Sequence, residues 1–153
     1  MSVTFAVEKW SDVLPEMRPR FQQLWADVAI DKDRFVAKCN EAVYAELEQK
    51  NMLLVVTARD GGRELVGFFV MLLNVNPHYL GAGLFAYTDM YYLAPAFRRG
   101  NLGLRLFKFM EDRIREKGVV KAYSSHKVHR DRSRMFEILG WKPCDQLYSK
   151  VIQ

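Results

Sequence analysis

Three groups of residues in this chain have types and spacings that chemistry uses. The first is Phe97-Arg98-Arg99-Gly100-Asn101-Leu102-Gly103, where two arginines precede a Gly-Asn-Leu-Gly turn that runs into an apolar, basic helical pattern. A helix start carries up to four unpaired backbone N–H groups and a partial positive charge. Gly100 and Gly103 have no Cβ, so a ligand can approach the main chain closely. With Arg98 and Arg99 alongside, the turn suits a diphosphate. The second is Asp89, the one carboxylate in Tyr87-Thr88-Asp89-Met90-Tyr91-Tyr92-Leu93. An acid in an aromatic strand is costly to bury alone, and such a group is a candidate general base. By strand alternation it shares a face with Tyr91 and Leu93. The third is His126 and His129, in Ser124-Ser125-His126-Lys127-Val128-His129, where an imidazole titrating near neutrality can relay a proton. Their spacing, without further ligands, is no metal signature, so no metal is expected.

These groups need elements to hold them. Residues 4–7 alternate weakly as a first strand. Residues 11–51 carry two helical patterns: Phe21, Leu24, Trp25 and Val28, then Phe35, Val36, Cys39, Val43 and Leu47 after an Asp31-Lys32-Asp33 break. Pro15 and Pro19 leave the start of the first helix open. Strands follow at 52–58 and 64–73, joined by an Asp-Gly-Gly-Arg turn, and at 84–93 after an Asn/Pro/Gly loop. Pro95 ends that third strand's pairing. A helix over 100–117 has Leu102, Leu106, Phe109, Met110 and Ile114 as its inner stripe, an outer Glu111–Arg115 pair, and Gly118 as its stop. A strand at 119–124, a short helix at 133–139 and a last strand at 146–152 complete the chain. The order β-α-α-β-β-β-α-β-α-β is that of a single α/β domain spanning 1–153. Its middle unit is a right-handed crossover between parallel strands, and its binding crevice lies beyond their carboxyl ends.

Bulk properties narrow the setting. At 153 residues one core is sufficient, and a net charge of +5 favours anionic partners without naming them. Two cysteines without a CxxC spacing suit free thiols in a reducing cytoplasm. No signal-peptide pattern opens the chain, and no apolar run approaches the roughly 20 residues of a membrane span. Nucleic-acid recognition motifs are lacking.

The segment Leu93-Ala94-Pro95-Ala96-Phe97-Arg98-Arg99-Gly100-Asn101-Leu102-Gly103 resembles the strand end and acetyl-CoA loop of the GNAT superfamily of N-acetyltransferases. A second match, Arg134 to Trp141 with its Leu-Gly-Trp end, looks like that family's later helix end, about 40 residues further on. The element order agrees over nearly the whole chain. The resemblance implies an N-acetyltransferase fold with splayed central parallel strands, acetyl-CoA as cosubstrate, and direct attack by a primary amine. It implies that the loop amides from Arg99 through Leu102 to Gly103 hold the pyrophosphate, with Arg98 at the motif's first position. The pantetheine then lies along the strand at Tyr91 and Leu93, and Arg130 or Arg132 meets the 3′-phosphate. It also implies a base on the Asp89 strand. Three positions depart from the family pattern. Asn101 replaces a glycine, and a left-handed or similarly tight backbone is expected there. Phe136 replaces a common tyrosine acid, for which Tyr123 or Tyr148 is a substitute. His129 replaces a common asparagine and is carried as a second catalytic candidate. The acceptor is not readable, although Tyr79, Phe85 and Tyr87 suggest an aromatic slot. A homodimer is compatible. A module that binds acyl-CoA or protein without chemistry is the alternative reading.

Overall fold

A computed structural model describes residues 2–152. Its elements are β1 (Thr4–Val7), α1 (Trp10–Val28), α2 (Glu41–Gln49), β2 (Leu53–Arg59), β3 (Leu65–Val75), β4 (Leu84–Leu93), α3 (Leu102–Glu116), β5 (Val119–Tyr123) and α4 (Ser133–Ile138), with a single 3-10 turn at Pro95–Phe97. One sheet runs in the order β1-β2-β3-β4-β5. Its first three pairings are antiparallel, and β4–β5 is parallel.

The strands are apolar on both faces because both faces are covered. On one side Leu54, Val56, Phe69, Met71 and Ala86 pack against the α3 stripe. On the other, Val55, Phe68, Val70 and Tyr92 pack against Trp10, Val13 and Met17 of α1. The α3 stripe is Leu102, Leu106, Phe107, Met110 and Ile114. Phe107 is thus an inner residue, whereas the expected Phe109 is only partly buried, beside Phe5. Glu111 pairs not with Arg115 but with the indole N–H of Trp141, tying α3 to the chain after α4, and Arg115 turns to Asp112 at 2.7 Å.

Two expectations about the elements are corrected, and the start of the first helix, left open, is fixed. α1 passes through both Pro15 and Pro19, although each lacks an N–H for the helix ladder. It begins at Trp10 because Glu48 of α2 caps it: the N–H groups of Trp10 and Ser11 donate to the two Glu48 oxygens, the latter at 3.3 Å. Glu48→Ala is expected to lower stability by about 1–2 kcal/mol, the usual worth of a helix cap, read as a fall in urea midpoint at constant m-value. An unchanged midpoint would mean that water serves those two groups equally well. The second helix starts only at Glu41. Phe35 and Val36 are 51% and 88% exposed, so their helical spacing has no surface to bury against and residues 29–40 stay irregular. The last strand, at 146–152, does not form. Leu147, Tyr148 and Ile152 are at least 80% exposed, and β5, five residues long and at the sheet edge, does not pair with them. Tyr148, so exposed, lines neither of the two recesses described below.

Candidate active site

The parallel pair opens into a fork. β4 and β5 pair from Leu84↔Val119 to Tyr87↔Tyr123, with one register shift between Leu84 and Phe85, and β4 then continues to Leu93 without β5, paired only with β3. The fork is closed at its base by the Thr88 hydroxyl donating to Ser124 Oγ at 2.9 Å. Tyr87 and Tyr123 stack there at 4.9 Å, in a ladder that runs on through Phe85 to Tyr79. These aromatics pack on one another and do not line the recess that holds Asp89.

Beyond the fork, a cleft of about 530 Å³ opens between α1, the end of β4, the start of α3 and α4. Tyr91, Leu93, Arg98, Gly100, Gly103 and Arg130 line it. Arg99, Asn101 and Leu102 do not: Arg99 is exposed, and Leu102 is 7% exposed within the α3 core stripe. The left-handed residue of the turn is Gly100, at φ 85°. Asn101, at φ −102° and ψ 6°, is the residue from which α3 starts. Its conformation is tight but not left-handed, because the glycine before it makes the reversal. Among the described residues, the N–H groups of residues 99–104 find no protein acceptor. At Gly103 a Cβ would stand 2.8 Å from the Tyr91 hydroxyl, so the helix start and that tyrosine meet only because the residue is glycine.

The cleft is strongly cationic. Arg98 Nε donates to the Leu93 carbonyl at 2.8 Å, which ties the loop to the strand end, and its Nη2 meets Asp27 at 2.6 Å. Arg130 approaches the same Asp27 oxygen at 3.3 Å. Arg132 lies 4.7 Å above the Tyr91 ring and has no ion-pair partner among the described residues. Burial, and then the neighbouring Arg130 and Arg98 cations, draw its pKa down despite Tyr91 and Asp27. A half-buried guanidinium beside two others, without a carboxylate of its own, is a seat for an anion. Asp27 was not foreseen, because its link to Arg98 spans 71 positions of chain.

Asp89 occupies a second recess. β3 and β4 pair Val70 with Met90 and Met71 with Thr88, so Asp89 is an extra residue, a β-bulge. The bulge breaks the expected alternation. Asp89 turns to the α1/α2 side with Met90, while Tyr91 and Leu93 face α3. There the Tyr44 hydroxyl donates to Asp89 Oδ2 at 2.6 Å, and Oδ1 has no protein partner among the described residues. The carboxyl stays accessible to water at the mouth, but the surrounding protein desolvates it and raises its pKa, more than the Tyr44 bond lowers it. Cys39 lines the same recess, and burial pushes its thiol up to about 11, so it is protonated at neutral pH.

His129 joins neither recess. Its Nε2 sits 3.2 Å from the Asp27 carbonyl, at the end of α1. His126 contacts Ser133 and stacks near Phe136 at 6.2 Å. Phe136 itself is packed edge-on against Phe107. The two recesses adjoin: Leu24 and Val28, one turn apart on α1, line both, and β4 passes from one to the other between Met90 and Tyr91.

This architecture recurs among solved acetyltransferases. A predicted acetyltransferase from Clostridium acetobutylicum, crystallised with acetyl-CoA, superposes with a TM-score of 0.77 at 14% identity, covering 99% of this chain and 97% of that one. Glucosamine-6-phosphate N-acetyltransferase from Arabidopsis thaliana gives 0.72 at 12% identity, with both chains fully covered. AAC(6')-Iy, in complex with a CoA bisubstrate analogue, gives 0.74 at 15% identity, covering 100% and 99%. No curated protein matches the sequence. At these identities the likeness is one of fold, a single α/β domain built on one mixed sheet. The sequence carries the assignment further: the model of the acetyltransferase (GNAT) family matches residues 10–141, and the chain belongs to that family. It is an acyltransferase, and acetyl-CoA is its cosubstrate. No helix among the described residues is long and apolar enough to cross a membrane.

Proposed function

We propose that the whole chain acts as one domain that transfers acetyl from acetyl-CoA to a primary amine by direct attack. The observation that carries this reading is the meeting of the two recesses along β4, where a cationic cleft adjoins a groove with one available carboxylate oxygen. The cleft fits the phosphate-bearing cosubstrate: the N–H groups at the start of α3, Arg98, Arg130 and the unpaired Arg132 would hold it, with Tyr91 and Leu93 alongside. When bound, acetyl-CoA supplies an activated acetyl thioester.

Asp89 then has the work of a general base. Asp89 Oδ1 takes one proton from the ammonium, which frees the amine lone pair; that lone pair forms the new N–C bond as the C–S bond breaks with its electrons leaving on sulfur, and the second amine proton goes to the departing thiolate. Leu24 and Val28 make the passage between the recesses apolar. Burial holds the Cys39 thiol protonated at neutral pH, which makes it a poor nucleophile and favours direct transfer over a covalent relay. His129 is assigned to holding the end of α1 at the cleft through Asp27.

The test is thiol release from acetyl-CoA in the presence of a broad set of primary amines, with the product weighed by mass spectrometry. Amine-dependent release with acetylated product is expected. Tight CoA binding without release on any amine would leave only a binding module.

A further inference from the structure

We propose that the acceptor is a small primary monoamine carried on an apolar, uncharged body, seated between α1, residues 36–40, α2 and β4 with its ammonium on Asp89. The proposal rests on the acetyl-transfer reading above and names the acceptor class for the same site. The groove holds about 460 Å³, within the roughly 300–1,000 Å³ of small-molecule sites. Phe21, Trp25, Val43, Leu47 and Met90 make its walls.

Its charge inventory is short. Among the described residues, Asp89 and Lys38 are the only formally charged side chains in the lining, and Lys38 is exposed. One Asp89 oxygen is taken by Tyr44, so one remains for one cationic N–H donor. A polyamine would have to place its further ammonium groups against apolar wall or toward the Lys38 cation. An amino sugar would bring several hydroxyls, and the lining has few groups to pair them, so each buried one would be left unsatisfied. An aryl- or alkylamine matches both features, since its body fills the apolar wall and its single charge meets the single carboxylate.

The experiment has two arms on the full chain. In the first, kcat/KM with acetyl-CoA is measured for phenethylamine, n-hexylamine, spermidine and glucosamine. The apolar amines are expected to lead by about 100-fold, the order of discrimination that missing contacts or unpaired polar groups produce. In the second, phenethylamine binding is measured by calorimetry with no cosubstrate, for the natural chain and for Val43→Arg. Val43 is 46% exposed on α2, so the arginine is tolerated by the fold and brings a competing cation into the groove. It is expected to weaken binding at least about 10-fold. Equal or better turnover of spermidine or glucosamine would overturn the acceptor class while leaving acetyl transfer standing. Phenethylamine binding that Val43→Arg abolishes, without turnover of any amine, would uphold the groove assignment and overturn the transfer reading. Absence of phenethylamine binding, or binding indifferent to Val43→Arg, would overturn the proposal.

Discussion

Asp89→Asn is expected to lower kcat by about 10²–10⁴-fold, the usual contribution of a positioned general base, with the KM for acetyl-CoA little changed. Asn keeps the size and can still pair with Tyr44, so the bulge and the groove survive the substitution. What it loses is the ability to take a proton. The pH profile makes the test specific. In the proposed base role the active form of Asp89 is the carboxylate, and its desolvated site raises its pKa above the ordinary value of about 3.9. Activity should therefore rise with pH along a limb displaced upward from the usual carboxylate range, and that limb should vanish in Asp89→Asn. Tyr44→Phe removes the one hydrogen bond that lowers this pKa. Its limb should move to still higher pH, with a smaller loss of kcat at the plateau.

Stability gives an independent control with a definite sign. A carboxyl whose folded pKa is raised is destabilising as the anion. That cost is absent below the unfolded value and complete above the raised one. At neutral pH the urea midpoint of Asp89→Asn should thus not fall. Retention of more than a tenth of kcat, or an unmoved pH limb, would remove Asp89 from the base role.

Gly103→Trp is expected to reduce kcat/KM for acetyl-CoA by about 10²–10⁴-fold and to abolish measurable CoA binding. Gly103 is the second residue of α3 and faces the cleft, and even a Cβ there approaches the Tyr91 hydroxyl at 2.8 Å. An indole would push Tyr91 aside and cover the free N–H groups at the helix start. Two charge-assisted hydrogen bonds lost at about 1.5–3 kcal/mol each account for the magnitude. The fold should persist, since the side chain enters a recess and not the core. Circular dichroism and the thermal midpoint check that. A folded Gly103→Trp protein with undiminished CoA binding would place the phosphates elsewhere. Arg132→Ala separates the charge contribution from the steric one: it should weaken CoA binding with a clear dependence on salt and leave the groove around Asp89 unaltered.

What the chain alone determined is what short segments determine. The hairpin turn at 60–63, the 84–93 strand, the Pro95 stop and the glycine-punctuated start of α3 are each settled within a few residues by backbone sterics and donor count. Side-chain periodicity likewise marked most of the α3 stripe. The glycine turn expected to seat a diphosphate was legible for that reason, and Arg98, Gly100 and Gly103 line the cleft.

The rest required tertiary structure, because it depends on register and on distant partners. One extra residue between Val70↔Met90 and Met71↔Thr88 reverses the face of Asp89, and no alternation of residue types announces such a bulge. Tyr44 reaches Asp89 across 45 positions of chain, Glu48 caps α1 from 37 or 38 positions away, and Asp27 gathers Arg98 and Arg130. The helical spacing at 35–39 and the strand-like stretch at 146–152 made the opposite point. Local propensity stabilises an element only where packing or a ladder partner completes it, and at those two places the fold offers neither.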